Sequence, residues 1–284
     1  ILAATLTLCV ASAATDLFLA FLAIQATNAL TYFIAGYGKR SEASIESAVK
    51  FMVMSAVAGG LFLYGLAMLF AATHTLNIQD MHQALAAKPL AVESLGVILI
   101  LILLPLAFQV AAFPAHFWAP DVLEGAPTPA SAFLSIGPRV AGLAVMTRMM
   151  VAVFAQPGQG QGQWQVLGSV DWASMIALIS GATMLIGTLV AFRQRVTKRM
   201  IGYLVMADSG FLLMGLLVLD QVGLAAMLFS LIVELFALFG IYYVLSFIHD
   251  EIGSDQISSL NGMLGRAVPE CICLVVFLLC FVGL

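Results

Sequence analysis

Long apolar runs alternate with short polar connections along the whole chain, and this alternation predicts helices rather than strands. A run of roughly 20 apolar residues is the length a helix needs to cross a bilayer. Nine such segments can be drawn, at 1–14, 17–37, 51–73, 95–115, 130–155, 173–192, 200–219, 223–248 and 267–284. The first is short because the chain begins inside it. His74 to Ser94 mixes polar and apolar positions without the length to span, which predicts an interfacial helix or an ordered loop. Gly38 to Lys50 reads as a polar connection, with Ser41 and Ser44 placed to cap the third segment. Gln156 to Trp172 is rich in Gln and Gly and reads as a mobile, exposed connection.

One stretch breaks the pattern. His116 to Arg139 carries Pro120, Pro127, Pro129 and Pro138 together with Gly125 and Gly137. Proline removes a backbone donor and glycine is conformationally permissive, so an ordinary membrane helix is not built this way. Backbone that leaves the helix at membrane depth must be buried in protein or line a wet cavity. Interrupted apolar segments are therefore pointers to a transport site.

Composition sharpens the class. The 284 residues are 62% hydrophobic and 9% charged, with a mean hydropathy of +1.08, against about 25% charged residues in soluble domains. The expectation is an all-α polytopic membrane protein, a single transmembrane helical domain over 1–284. The net charge of −4 sits in short loops and specifies no partner. No basic patch suggests nucleic acid. Cys9, Cys271, Cys273 and Cys280 all lie in apolar runs and read as small buried hydrophobes, without the ligand spacing of a metal site. Counting connections alternately puts Lys39, Arg40, Lys50, Arg193, Arg195, Lys198, Arg199 and Arg266 on one side and only Lys88 on the other. The basic side is expected to face the cytoplasm or the equivalent matrix compartment. No signal peptide or internal repeat is visible, and the ends suggest a piece of a longer membrane protein.

The broken stretch, F-P-A-H-F-W-A-P-D-V-L-E-G-A-P-T-P-A-S-A-F-L-S-I-G-P-R (Phe113 to Arg139), resembles the signature of the antiporter-like subunit N, or chain 2, of respiratory complex I. The D-V-x-E-G-A-P-T-P form is closer to that subunit than to sister subunits L and M or to Mrp antiporter subunits. FLAIQATNALTYFIAGY (Phe21 to Tyr37), the following SEASIESAVKF, and TKRMIGYLVMADSGFLLMG (Thr197 to Gly215) agree with it. The resemblance implies a discontinuous-helix, antiporter-like fold in the membrane arm of a proton-translocating NADH:quinone oxidoreductase. It implies other membrane-arm subunits and the lipid bilayer as partners, in a mitochondrial inner or bacterial cytoplasmic membrane. Flavin, iron–sulfur clusters and quinone would belong to partner subunits, and no catalytic residue or cofactor is expected in this chain. Further helices of the parent fold would lie in a longer polypeptide or in a separate chain. A secondary cation/proton antiporter of the Mrp type is the alternative.

The resemblance also locates the proton-path positions. Its glutamate falls on Gln25, its first lysine on Gln109 and its second lysine on Arg139. Glutamine does not titrate and arginine stays protonated, so the familiar Glu–Lys switch is absent here and pumping through this chain is expected to be altered or lost. Gln25 and Gln109 either satisfy one another or line a wet conduit. Asp208, inside the seventh segment, and Glu234, inside the eighth, are costly unless paired or hydrated. Glu234 has Arg139 or Arg148 as its candidate partner. His116 is expected to hydrogen-bond the broken-helix backbone, and Asp121 and Glu124 to fix the proline-rich turn. Asp16 and Glu270, at segment starts, read as structural.

Overall fold

The computed structural model describes residues 1–38, 41–88, 90–158, 162–167 and 170–283. In chain order these form α1 (Leu2–Ala13), α2 (Leu17–Ala35), α3 (Glu42–Thr73), α4 (Ile78–Ala87), α5 (Val92–Val110), α6 (Trp118–Gly125) and α7 (Thr128–Ala152). A small hairpin, β1 (Ala155–Pro157) and β2 (Trp164–Val166), precedes α8 (Trp172–Ala191), α9 (Thr197–Leu217), α10 (Gln221–Ile252) and α11 (Val268–Val282). Seven of the helices, α2, α3, α5, α7, α8, α9 and α10, are long and apolar enough to cross a membrane, while α1 and α11 are shorter.

Several predicted boundaries move for identifiable reasons. The supposed polar connection up to Lys50 is helical from Glu42, so α3 begins nine residues before the predicted start. Ser41 Oγ accepts from Ser44 N–H at the new N-terminus. Ser44 does not cap the helix; its hydroxyl donates to Ala35 O at 2.6 Å and joins α3 to α2. Glu46 and Lys50 pair one turn apart at 2.8 Å, which keeps the polar face helical. The fourth segment stops early, because Ala111 adopts the left-handed conformation (φ 60°) and ends α5. The Gln/Gly connection also differs from its expectation: its ends pair as an antiparallel hairpin, Ala155 with Val166 and Pro157 with Trp164. Its residues 159–161 and 168–169 lie outside the described set, as do Lys39 and Arg40.

Packing places α7 at the centre. In its most apolar window 83% of residues are buried, against 22% in α8. α7 touches α1, α2, α5, α6, α9 and α10. One apolar cluster gathers α1 to α8 around it, and a second joins α7 to α9 and α10 through Ile136, Val205, Leu238 and Tyr242, with Leu274 and Phe277 of α11 packed against it. Outer faces keep large apolar side chains exposed, such as Phe192, Phe229 and Tyr243, as expected of surfaces that meet lipid. The cysteines share those faces. None is buried, Cys9 and Cys273 are exposed, and all four are free thiols, because helices that are apolar all round bury only one side.

The two ends of the bundle are distinct. At one end Asp16 bridges Asn77 and Gln163 bridges Asp220, with Asp16, Asn77, Asp171 and Asp220 each capping a helix. At the other, Val196 bridges Gln256, Thr197 N–H donates to Asp255 O, and Ile257 N–H to Arg195 O.

Candidate functional site

The chain between α5 and α7 is the irregular centre, and its backbone polar groups need partners away from water. Phe113 N–H donates to Thr183 Oγ1 on α8 at 2.9 Å. Trp118 Nε1 donates to Phe108 O at 2.7 Å, satisfying a carbonyl at the end of α5. Ser131 Oγ donates to Leu123 O at 2.8 Å across the α6–α7 turn. Pro120 sits in the first turn of α6, while Pro127 and Pro129 flank the start of α7, positions where a missing N–H costs little. Two glycines permit the docking of α6. A Cβ on Gly202 would lie 2.8 Å from Pro120 Cα, and one on Gly125 2.7 Å from Ala43 O.

Asp121 and Glu124 do not close that turn. They reach across it: Asp121 pairs with Lys50 on α3 (3.0 Å) and with Arg199 on α9 (3.1 Å), and Glu124 with Arg199 (3.1 Å). All four side chains are about a third exposed, so each pair contributes at most about 1 kcal/mol. Their effect is positional, tying α6 to two spanning helices. His116 is buried with its Nδ1 unpartnered among protein atoms, its ring packed 4.2 Å from that of Phe117. Burial pushes its imidazole below the ordinary histidine range, which favours the neutral ring.

Gln25 and Gln109 line one small cavity, of about 10 Å³, with Asn28, Gly59 and Pro105. That is the lower bound for one water. Asn28 Nδ2 donates to Gln25 Oε1 at 3.3 Å, whereas Asn28 Oδ1 and Gln109 Nε2 have no protein partner. Glycine makes the room: a Cβ on Gly59 would sit 1.9 Å from Gln25 Nε2, and one on Gly142 2.9 Å from Gln109 Cβ.

Arg139, Asp208 and Glu234 come together from α7, α9 and α10. The Arg139 side chain is 1% exposed, and its Nη1 donates to Glu234 Oε1 and, at 3.2 Å, to Ser135 O. Its Nη2 donates to Asp208 Oδ2 at 3.0 Å. Glu234 is 4% exposed and Asp208 17%. Arg148, the other candidate partner, is engaged elsewhere, donating to Ser12 O at 2.7 Å. Sequence reasoning missed Thr183, Trp118, Lys50 and Arg199 as partners of the break. A threonine within an apolar helix was the available signal for Thr183.

The family described as NADH:quinone oxidoreductase/Mrp antiporter, TM, matches residues 14–284. NADH-quinone oxidoreductase subunit N of Chlorobium chlorochromatii (strain CaD3) is 33% identical over 274 residues, covering 96% of this chain and 53% of the relative. NAD(P)H-quinone oxidoreductase subunit 2 of Prochlorococcus marinus (strain MIT 9313) is 35% identical over 263 residues, covering 93% of this chain and 48% of the relative. The chain thus spans about half the length of the relatives it matches. A chain of respiratory complex I from Thermus thermophilus superposes with a TM-score of 0.79 at 26% identity, over 100% of this chain and 58% of that one. A chain of the Mrp complex from Dietzia sp. DQ12-45-1b shares the fold, with a TM-score of 0.78 at 18% identity over 99% of this chain and 57% of that one.

Proposed function

Because the chain belongs to the NADH:quinone oxidoreductase/Mrp antiporter transmembrane family, we propose that it serves as an antiporter-like membrane-arm subunit of an energy-converting NADH:quinone oxidoreductase. The observation that carries this reading is the broken helix. Its D-V-L-E-G-A-P-T-P sequence folds as α6 and the start of α7, tied to α3 and α9 by Asp121 and Glu124. The names of the relatives, NADH-quinone oxidoreductase subunit N and NAD(P)H-quinone oxidoreductase subunit 2, favour this assembly over an independent cation/proton antiporter.

The chain contributes no redox chemistry of its own in this reading; flavin, iron–sulfur clusters and quinone reside on other subunits. Its partners are other membrane-arm subunits and lipid, and the helices it lacks relative to the whole fold come from a longer parent chain or a separate one. The end carrying Lys50, Arg193, Arg195, Lys198, Arg199 and Arg266 faces the matrix or cytoplasm, following the excess of basic residues on that side. A proton path through Gln25 and Gln109 is altered or lost, because neither side chain titrates.

The test is a mass and subunit inventory of the native complex purified from membranes. Comigration with quinone-reductase membrane and peripheral-arm subunits is expected. Purification of the chain alone, or with antiporter-type partners only, would overturn the assignment.

A further inference from the structure

The buried cluster of Arg139, Asp208 and Glu234 does not balance in charge. One guanidinium faces two carboxyl groups, and with both ionised the cluster carries a net charge of −1 in a site where Arg139 and Glu234 are almost fully enclosed. An uncompensated charge in such surroundings is strongly disfavoured. Among the described residues no other cation is placed to cancel it. Arg148, on α7, is committed to Ser12 O. Lys198 and Arg199, on α9, lie nine or ten residues from Asp208, about 14 Å along the helix, and pair with Asp255, Asp121 and Glu124. α8, packed on α9, has no charged residue. α10 adds the Tyr242 hydroxyl two turns beyond Glu234, and α11 adds Cys271 and Glu270, none of them cationic.

Hydrogen bonding points the same way. Glu234 Oε2 is buried with no partner. The Asp208 and Glu234 carboxyl groups are held on the two terminal nitrogens of one guanidinium, Nη2 and Nη1, and two carboxylates have only acceptors to offer each other. A proton on one of them supplies a donor between the two carboxyl groups and cancels the excess charge together.

We infer that Asp208 and Glu234 share a single proton, so that α7, α9 and α10 enclose a one-proton site whose fixed counter-charge is Arg139. Loss of that proton to water takes the cluster from neutral to −1, and its return restores neutrality. Asp208, the more exposed member, is the group through which exchange occurs. The inference concerns how this chain holds charge and goes beyond its place in an assembly. Comigration tests the assembly separately, and either reading can fail alone.

Infrared difference spectroscopy of the native complex, comparing wild type with amide variants at neutral pH, tests it. Wild type should show one protonated-carboxyl C=O band that is lost both in Glu234→Gln and in Asp208→Asn, since removing either carboxyl leaves the other to pair with Arg139 as an anion. Each amide is close in size to the acid it replaces, so both variants should assemble. Arg139→Gln, where it assembles, should strengthen the band as the second carboxyl takes up a proton. No band difference between wild type and either amide variant would overturn the proposal, as would a band that survives in Asp208→Asn. A carboxylate pair neutralised by sodium, with no C=O band in wild type, would overturn it too.

Discussion

Arginine at position 139 shows how one residue can commit a whole site. Its guanidinium is charged at any accessible pH and offers donors in a fixed fork, so burying it required two acceptors from two further helices, Asp208 and Glu234. Gln25 and Gln109 illustrate the opposite choice, since neutral amides can share a small cavity without a counter-ion. Their neutrality is coherent as a pair. Gln109→Lys alone should strand an ammonium in a site that is 2% exposed, at a cost of about 3–5 kcal/mol. Gln25→Glu added to it should recover most of that loss, read as the yield of assembled complex on native gels. Equal defects in both singles and the double would mean that the two positions do not act as a pair. The identity of these residues was plain in the sequence, but their partners were not. Glu234 had two candidate arginines, and Arg139 lies 95 residues away, a separation across which sequence carries no distance.

At the scale of elements, the break between α5 and α7 holds because neighbouring helices satisfy it. Thr183 is the clearest case, as its hydroxyl is the acceptor for Phe113 N–H. Thr183→Val keeps the shape and removes the acceptor, which should cost about 1–3 kcal/mol for an unpaired buried donor. Thr183→Ser should retain most of the stability, and thermal unfolding of the purified complex would separate the two; equal losses would mean that packing rather than the hydrogen bond matters. The long helices were readable from apolar runs, and the short α4 falls inside the stretch expected to lie at the interface, whereas α6 lies in the broken stretch, where no apolar run marks it. What hydropathy misjudged was α3, whose first turns are polar yet helical. Ser44 and Ser47 turn inward there to bond Ala35 O and Asp121 O, and an inward-facing serine looks the same in sequence as one in a loop.

For the whole molecule, the bundle has one end rich in Lys and Arg and another rich in Asp and Asn caps, joined by helices with uncovered apolar faces. This polarity makes a sidedness prediction. Asp250→Cys lies at the basic end and Gln79→Cys at the other, both at exposed positions. A membrane-impermeant maleimide added from the matrix or cytoplasmic side should label the first and not the second. The reverse pattern would invert the orientation, and labelling of both from one side would break the alternation of segments.

Membrane class, helical architecture and the location of the break were all determined by the sequence alone. Each follows from a local rule: apolar length against bilayer thickness, and the inability of proline to donate a backbone hydrogen bond. The resemblance of Phe113 to Arg139 to a known family was also a local pattern, and the match over residues 14–284 agrees with it. Tertiary structure decided everything that depends on distance. It placed Arg139 between two carboxyl groups and Gln25 beside Gln109, and it turned Asp121 and Glu124 from a turn toward Lys50 and Arg199. The physical reason is the same in each case. A buried polar group needs its partner within hydrogen-bond reach, and which partner arrives is set by how helices pack, through close approaches such as those at Gly59, Gly142 and Gly202, rather than by any spacing along the chain.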